Sequence, residues 1–119
     1  MKRSARETGT WYEENAARYL EQQGYRILEK NFRCRQGEID LIAMDGEYLC
    51  FIEVKFRESA DCGGAFLAVA NKKQRRICHT ALFYLMERGL PEDTAGRFDV
   101  VGITPDETVL IKDAFLYHI

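Results

Sequence analysis

From Gly37 to Arg57 the chain reads GEIDLIAMDGEYLCFIEVKFR, two runs of alternating apolar and polar residues joined at Asp45-Gly46. A period of two marks half-buried strands, and Asp-Gly supplies the positive φ angles of a tight hairpin turn. With those two residues as the loop, Glu38 falls opposite Glu53 and Asp40 opposite Phe51. Side chains alternate faces along a strand, so Glu38, Asp40, Glu53 and Lys55 share one face. Ile39, Leu41, Ala43, Cys50, Ile52 and Val54 form the other, a core face.

Around this hairpin the pattern changes period. Trp11, Ala16, Tyr19 and Leu20 recur at helical spacing, with Thr8 or Thr10 as the expected cap, Glu13 completing a capping box after Thr10, and Gly24 as the stop. Tyr25 to Phe32 reads as a strand weakened at Asn31, and Arg33, Arg35 and Gln36 lead into the hairpin. The segment ESADCGG after Arg57 matches neither period and predicts a loop. Ile77, Cys78, Ala81, Leu82 and Leu85 form an apolar stripe that predicts a helix over Asn71 to Arg88, ended by Gly89 and Pro91. Strands follow at Arg97–Thr104 and Thr108–Ile111, turned at Pro105-Asp106. The order α-β-β-β-α-β-β predicts an α/β (α+β) fold, a mixed sheet flanked by helices.

Length and composition bound this picture. The 119 residues suit a single domain with one core, and 46% apolar with 30% charged residues is a soluble globular balance. A net charge of −2 gives no bulk attraction to nucleic acid, so any such binding rests on local basic patches. Cys34, Cys50, Cys62 and Cys78 form no C-x-x-C pair and no zinc spacing with His79 or His118; Cys50 and Cys78 read as buried thiols. Reduced thiols, no signal-peptide pattern behind Lys2, Arg3 and Arg6, and no membrane-length apolar run together predict a cytoplasmic protein.

Chemistry enters at the charged face. Carboxylates gathered on a sheet repel one another and lose hydration, a cost that a divalent cation removes. An aspartate followed a strand later by Glu-x-Lys suits phosphodiester hydrolysis. Asp40 and Glu53 offer hard oxygen ligands to Mg²⁺ or Mn²⁺, and Lys55 points the same way to orient water or stabilise phosphate charge. The opposing reading is a structural salt-bridge cluster, against which stand the apolar residues flanking the motif in FIEVKF.

The segments GEIDLIA, FIEVKFR, KKQRRI and RFDVVGI, with ENAARYLEQQGYRILEKNFRCRQGEIDLI, resemble the YraN-like bacterial family over nearly the whole chain. That family looks like restriction-endonuclease-type folds of the PD-(D/E)xK class, close to Holliday junction resolvases. The resemblance implies metal ligands at Asp40 and Glu53, a catalytic lysine at Lys55 and a helper carboxylate at Glu13. The chain departs from the motif in lacking its proline, with Glu38-Ile39 before Asp40, and in reading Tyr12-Glu13 where relatives have Gly-Glu.

Lys72, Lys73, Arg75 and Arg76 open the second helix, where the dipole disfavours cations, and so suggest a phosphate-binding surface, with Gln74 turned towards the site. An ordinary solvated face is the alternative. Glu38 either joins the metal site or pairs with Arg35 or Arg57. Asp99 reads as structural, His79 and His118 as non-ligands, and Trp11 with the other aromatics as core. The expectation is an Mg²⁺- or Mn²⁺-dependent endonuclease acting on DNA, branched DNA included, with a homodimer as the arrangement that cuts two strands. A non-catalytic nucleic-acid-binding module and a purely structural interaction domain are the competing readings.

Overall fold

The computed structural model describes residues 5–58 and 67–118. Lys2, Arg3, Cys62 and most of the ESADCGG segment lie outside the described residues. The elements are α1 (Ala5–Gln22), β1 (Arg26–Cys34), β2 (Gly37–Asp45), β3 (Tyr48–Phe56), α2 (Asn71–Glu87), β4 (Gly96–Ile103) and β5 (Thr108–Phe115). This is the expected order, and the strands form one mixed sheet in sequence order, β1-β2-β3-β4-β5. Among the described residues only β3 and β4 run parallel, which is the pair that α2 connects.

One helix covers each face. Ala16, Ala17 and Leu20 of α1 pack on Leu41, Ala43, Cys50, Ile52, Val101 and Ile103. Ile77, Cys78, Ala81, Tyr84 and Leu85 of α2 pack on Phe32, Ile39, Ile42, Leu49, Phe51 and Val100. Burial on both faces explains why β4 ends in the unalternating run Val100 to Ile103. Cys50 and Cys78 are fully buried, as expected. Among the described residues no helix is long and apolar enough to cross a membrane.

Several local expectations are corrected. The hairpin loop is Gly46-Glu47, not Asp45-Gly46, and the ladder pairs Asp45 with Tyr48 and Leu41 with Ile52, a slide of two residues. Asp45 stays in β2 because Arg97 Nη2 and Lys112 Nζ hold its carboxylate at 2.7 and 3.1 Å. Gly46, with φ 60°, then takes the first loop position, which is where a II′ turn needs a glycine. A slide of two preserves which face each side chain takes, so the core pattern survives it. Ile39 is the exception. It packs under α2 with Ile42 rather than under α1 with Leu41, so the alternation of β2 breaks once between Ile39 and Ile42. On β1, Asn31 lies between the partners of Leu41 and Ile39 and has φ 55°, a left-handed conformation that asparagine tolerates.

The first helix starts at Ala5, ahead of both threonines, so neither Thr8 nor Thr10 caps it and Glu13 is not part of a capping box. Ala5, Arg6 and Glu7 are good helix formers, and they carry the helix through Thr8. Gly24, at φ 97°, ends it as expected, with the Tyr25 amide bonded back to the Leu20 carbonyl. The final strand runs on to Phe115, beyond the predicted Ile111, because buried Asp99 holds the amide of Asp113 and keeps a distorted β5 on the sheet. Trp11 is 38% exposed rather than core, with its edge against Tyr12, which stacks on Phe56.

Candidate functional site

The β2–β3 ladder stops at Leu41 and Ile52, and the next residues of the two strands are Asp40 and Glu53. In place of a further ladder bond, Asp40 Oδ2 accepts the Val54 N–H at 2.8 Å. The break in alternation at this point turns the carboxylate towards the β3 backbone, so the four charged residues do not line one face as predicted. Glu53 lies on the α2 side, buried to 9% exposure, where Lys73 Nζ of α2 sits 2.6 Å from its Oε1. Glu13 reaches in from α1, and its Oε2 accepts Asn31 Nδ2 at 2.6 Å. The left-handed backbone at Asn31 thus lies in the same distortion that places Asp40.

Electrostatics records the convergence. Burial, followed by the neighbouring charges of Glu53, Glu13 and Glu38, pushes the Asp40 carboxyl up to about 7, although the Val54 amide works in the other direction. Burial also raises Glu13, partly offset by the Asn31 amide. Lys55 is lowered by burial, with the charge of Glu53 opposing the shift. Its ammonium donates to the carbonyl of Ala68 in the segment leading into α2. Glu38 pairs with Arg33 at 3.0 Å, not with Arg35 or Arg57; both side chains are exposed, so the pair adds little stability.

The sequence pattern put Asp40, Glu53 and Lys55 on one face and the family resemblance added Glu13; in the structure the charges of Glu53 and Glu13 act on Asp40, and that of Glu53 on Lys55. Among the described residues, however, no three acidic, histidine or cysteine side chains form a ready-made metal cluster. The reason is visible: Glu53 is turned onto Lys73, and Glu13 onto Asn31. Neither partner was legible beforehand, because no local spacing links a helix lysine to a strand glutamate twenty residues earlier.

Beside the acids runs a groove of about 580 Å³ lined by Arg33, Cys34, Gly37, Glu38, Lys73, Arg76 and Ile77. Lys72, Arg75 and Arg76 are exposed on α2, whose first turn has no acidic residue and whose start at Ala70 has no side-chain cap. Gln74 is committed elsewhere: its amide donates to the Val69 carbonyl at 2.7 Å and its oxygen meets His118 at 2.8 Å. An apolar cleft of about 170 Å³ between α2 and the opening residues of β3 and β4, lined by Leu49, Phe51, Leu85 and Tyr117 among others, includes none of Glu13, Asp40 and Glu53.

The second polar cluster, around Asp99, is structural as expected. Its carboxylate is almost wholly buried and accepts four bonds, from Tyr25 Oη at 2.7 Å, Arg97 Nε at 2.8 Å, Arg97 Nη2 at 2.9 Å and the Asp113 amide at 2.9 Å. Every acceptor bond is filled from within the fold, which leaves nothing for a ligand.

An α/β domain with a five-stranded mixed sheet, and acids gathered where its central hairpin opens, is therefore the class that fold and site define. The chain belongs to a family known as Uncharacterised protein family UPF0102, which matches residues 12–103. It is 50% identical over 107 residues to a UPF0102 protein of Lachnoclostridium phytofermentans, covering 90% of this chain and 91% of that one. A UPF0102 protein of Syntrophus aciditrophicus is 52% identical over 112 residues, covering 91% and 87%. One from Colwellia psychrerythraea is 44% identical over 117 residues, covering 94% and 91%.

Proposed function

We propose that the protein is a metal-dependent nuclease that hydrolyses phosphodiester bonds, with DNA as its substrate. The observation that carries this reading is the placement of Asp40: a partly buried carboxylate at a strand break, raised first by burial and then by the charges of Glu53, Glu13 and Glu38. A fold gains nothing from such repulsion unless a cation is at times present. The residues fit a divalent ion in donor type and charge, since Asp40 and Glu53 are hard oxygen donors on adjacent strands. Bound there, Mg²⁺ or Mn²⁺ would supply Lewis acidity and an acidified water.

The chain's own groups have separable tasks. Asp40 and Glu53 would hold the ion, and the Val54 amide fixes the angle of Asp40. Lys55, anchored near the Ala68 carbonyl and lowered by burial, stands two residues beyond Glu53 to orient water or steady phosphate charge. Glu13, oriented by Asn31, is a further carboxylate for a water or the ion. Arg33 and Arg76 along the groove, with Lys72 and Arg75, supply phosphate contacts.

One observation favours a second reading, a non-catalytic nucleic-acid-binding module. Lys73 already neutralises Glu53, as a protein cation would in a site without metal. Calorimetric titration of Mn²⁺ separates the two. The nuclease reading expects saturable binding that Asp40→Asn weakens strongly; equal affinities, or none, favour the binding module.

A further inference from the structure

We infer that Lys73 is a built-in counter-ion at Glu53 which yields its place to a divalent cation when a nucleic-acid phosphate takes up the ammonium, so that ion and polymer load the site together. This rests on the reading of the site as a metal-dependent nuclease. Two roles meet in one side chain. Glu53 is buried to 9% exposure and needs a cation, whereas the side chain of Lys73 is half exposed and lies on the wall of the basic groove with Arg33 and Arg76. The ammonium lies 2.6 Å from Oε1 of Glu53, one of the two carboxylates that would hold the ion.

A divalent ion and an ammonium cannot both occupy that carboxylate without repulsion, and burial leaves little water to screen them. Lysine is a compact charge on a long flexible stem, suited to swinging from a carboxylate to a phosphate in the adjoining groove. The polymer therefore assists the ion by removing its competitor. By thermodynamic reciprocity, the ion assists the polymer by releasing a phosphate-binding cation. A simple structural ion pair predicts neither effect.

The test uses the full chain, Mn²⁺ as the ion and a phosphorothioate DNA duplex that resists hydrolysis. Lys73→Gln keeps a hydrogen-bond donor beside Glu53 without its charge, and Lys73→Arg keeps the charge. Without DNA, Mn²⁺ should bind Lys73→Gln about tenfold more tightly than wild type, and Lys73→Arg no more tightly than wild type. The duplex should tighten Mn²⁺ binding to wild type by a factor in the range of about 5 to 150, and that coupling should nearly vanish in Lys73→Gln. If Lys73→Gln matches wild type while Asp40→Asn still abolishes binding, Lys73 is structural and the metal site stands. If Mn²⁺ binds none of the proteins, both this inference and the reading beneath it are overturned. Should Lys73→Gln not fold, the coupling in wild type still decides: a wild-type Mn²⁺ affinity unaffected by the duplex overturns the inference.

Discussion

The carboxylate of Asp40 accepts the backbone amide of Val54 at 2.8 Å, where the β2–β3 ladder has stopped at Leu41 and Ile52. The same side chain thus completes the sheet and opens the site, and its two tasks separate by substitution. Asp40→Ala strands a partly buried amide and should cost about 1 kcal/mol. Asp40→Asn keeps an acceptor and removes the repelled charge. Its folded pKa of about 7 lies above the ordinary 3.8, so the folded chain holds a proton that the unfolded chain has lost between those values. The contribution of this group is full below about pH 4 and is lost as pH rises through 7. Metal-free wild type should therefore lose stability between pH 5 and pH 8, on the order of a few kcal/mol from this group, with raised Glu13 acting in the same direction. Thermal melts at the two pH values should show a smaller loss in Asp40→Asn; an equal loss would place the repulsion elsewhere.

Asp99 should behave in the opposite way, as a residue of the fold alone. Asp99→Ala leaves Arg97 without its buried partner and frees Tyr25 and the Asp113 amide together. Breaking a buried charge pair from one side costs about 3 to 5 kcal/mol, so chemical denaturation should reveal a large loss. Mn²⁺ affinity per folded molecule should be unchanged, because the cluster does not touch Asp40 or Glu53. A selective loss of metal binding would contradict the structural assignment.

The exposed cations of α2 should act as phosphate-binding groups. Replacing Lys72, Arg75 and Arg76 with glutamine should weaken DNA binding and flatten its salt dependence, by about 0.9 in the log–log slope for each phosphate that is no longer neutralised. Fluorescence titrations across a salt series read this directly. An unchanged slope would make these residues a solvated face.

The element order, and the fall of Asp40 and Glu53 on neighbouring strands, were legible because they rest on local periodicity: alternation in FIEVKF, a helical stripe from Ile77 to Leu85, a stop at Gly24. The hairpin register was not, because Asp45 is held in its strand by Arg97 and Lys112, more than fifty residues away. The break in β2 that turns Asp40 was equally hidden, since it is matched by an unusual backbone at Asn31 on the neighbouring strand. The partners that now occupy Glu53 and Glu13, Lys73 and Asn31, come from other elements, and packing rather than spacing brings them in.

The most direct measurement is cleavage of DNA by wild type and Lys55→Ala, on branched, single-stranded and duplex substrates, with Mn²⁺ and with a chelator. Lys55→Ala leaves both metal carboxylates in place and loses a backbone tether at Ala68, a loss of about 1 kcal/mol. Wild type should cleave only with the ion. Lys55→Ala should bind Mn²⁺ as tightly or more so, and cleave at least about a hundredfold more slowly per folded molecule. Intact DNA binding with no cleavage by wild type under any divalent ion, or cleavage by Lys55→Ala in simple proportion to folded protein, would contradict the account.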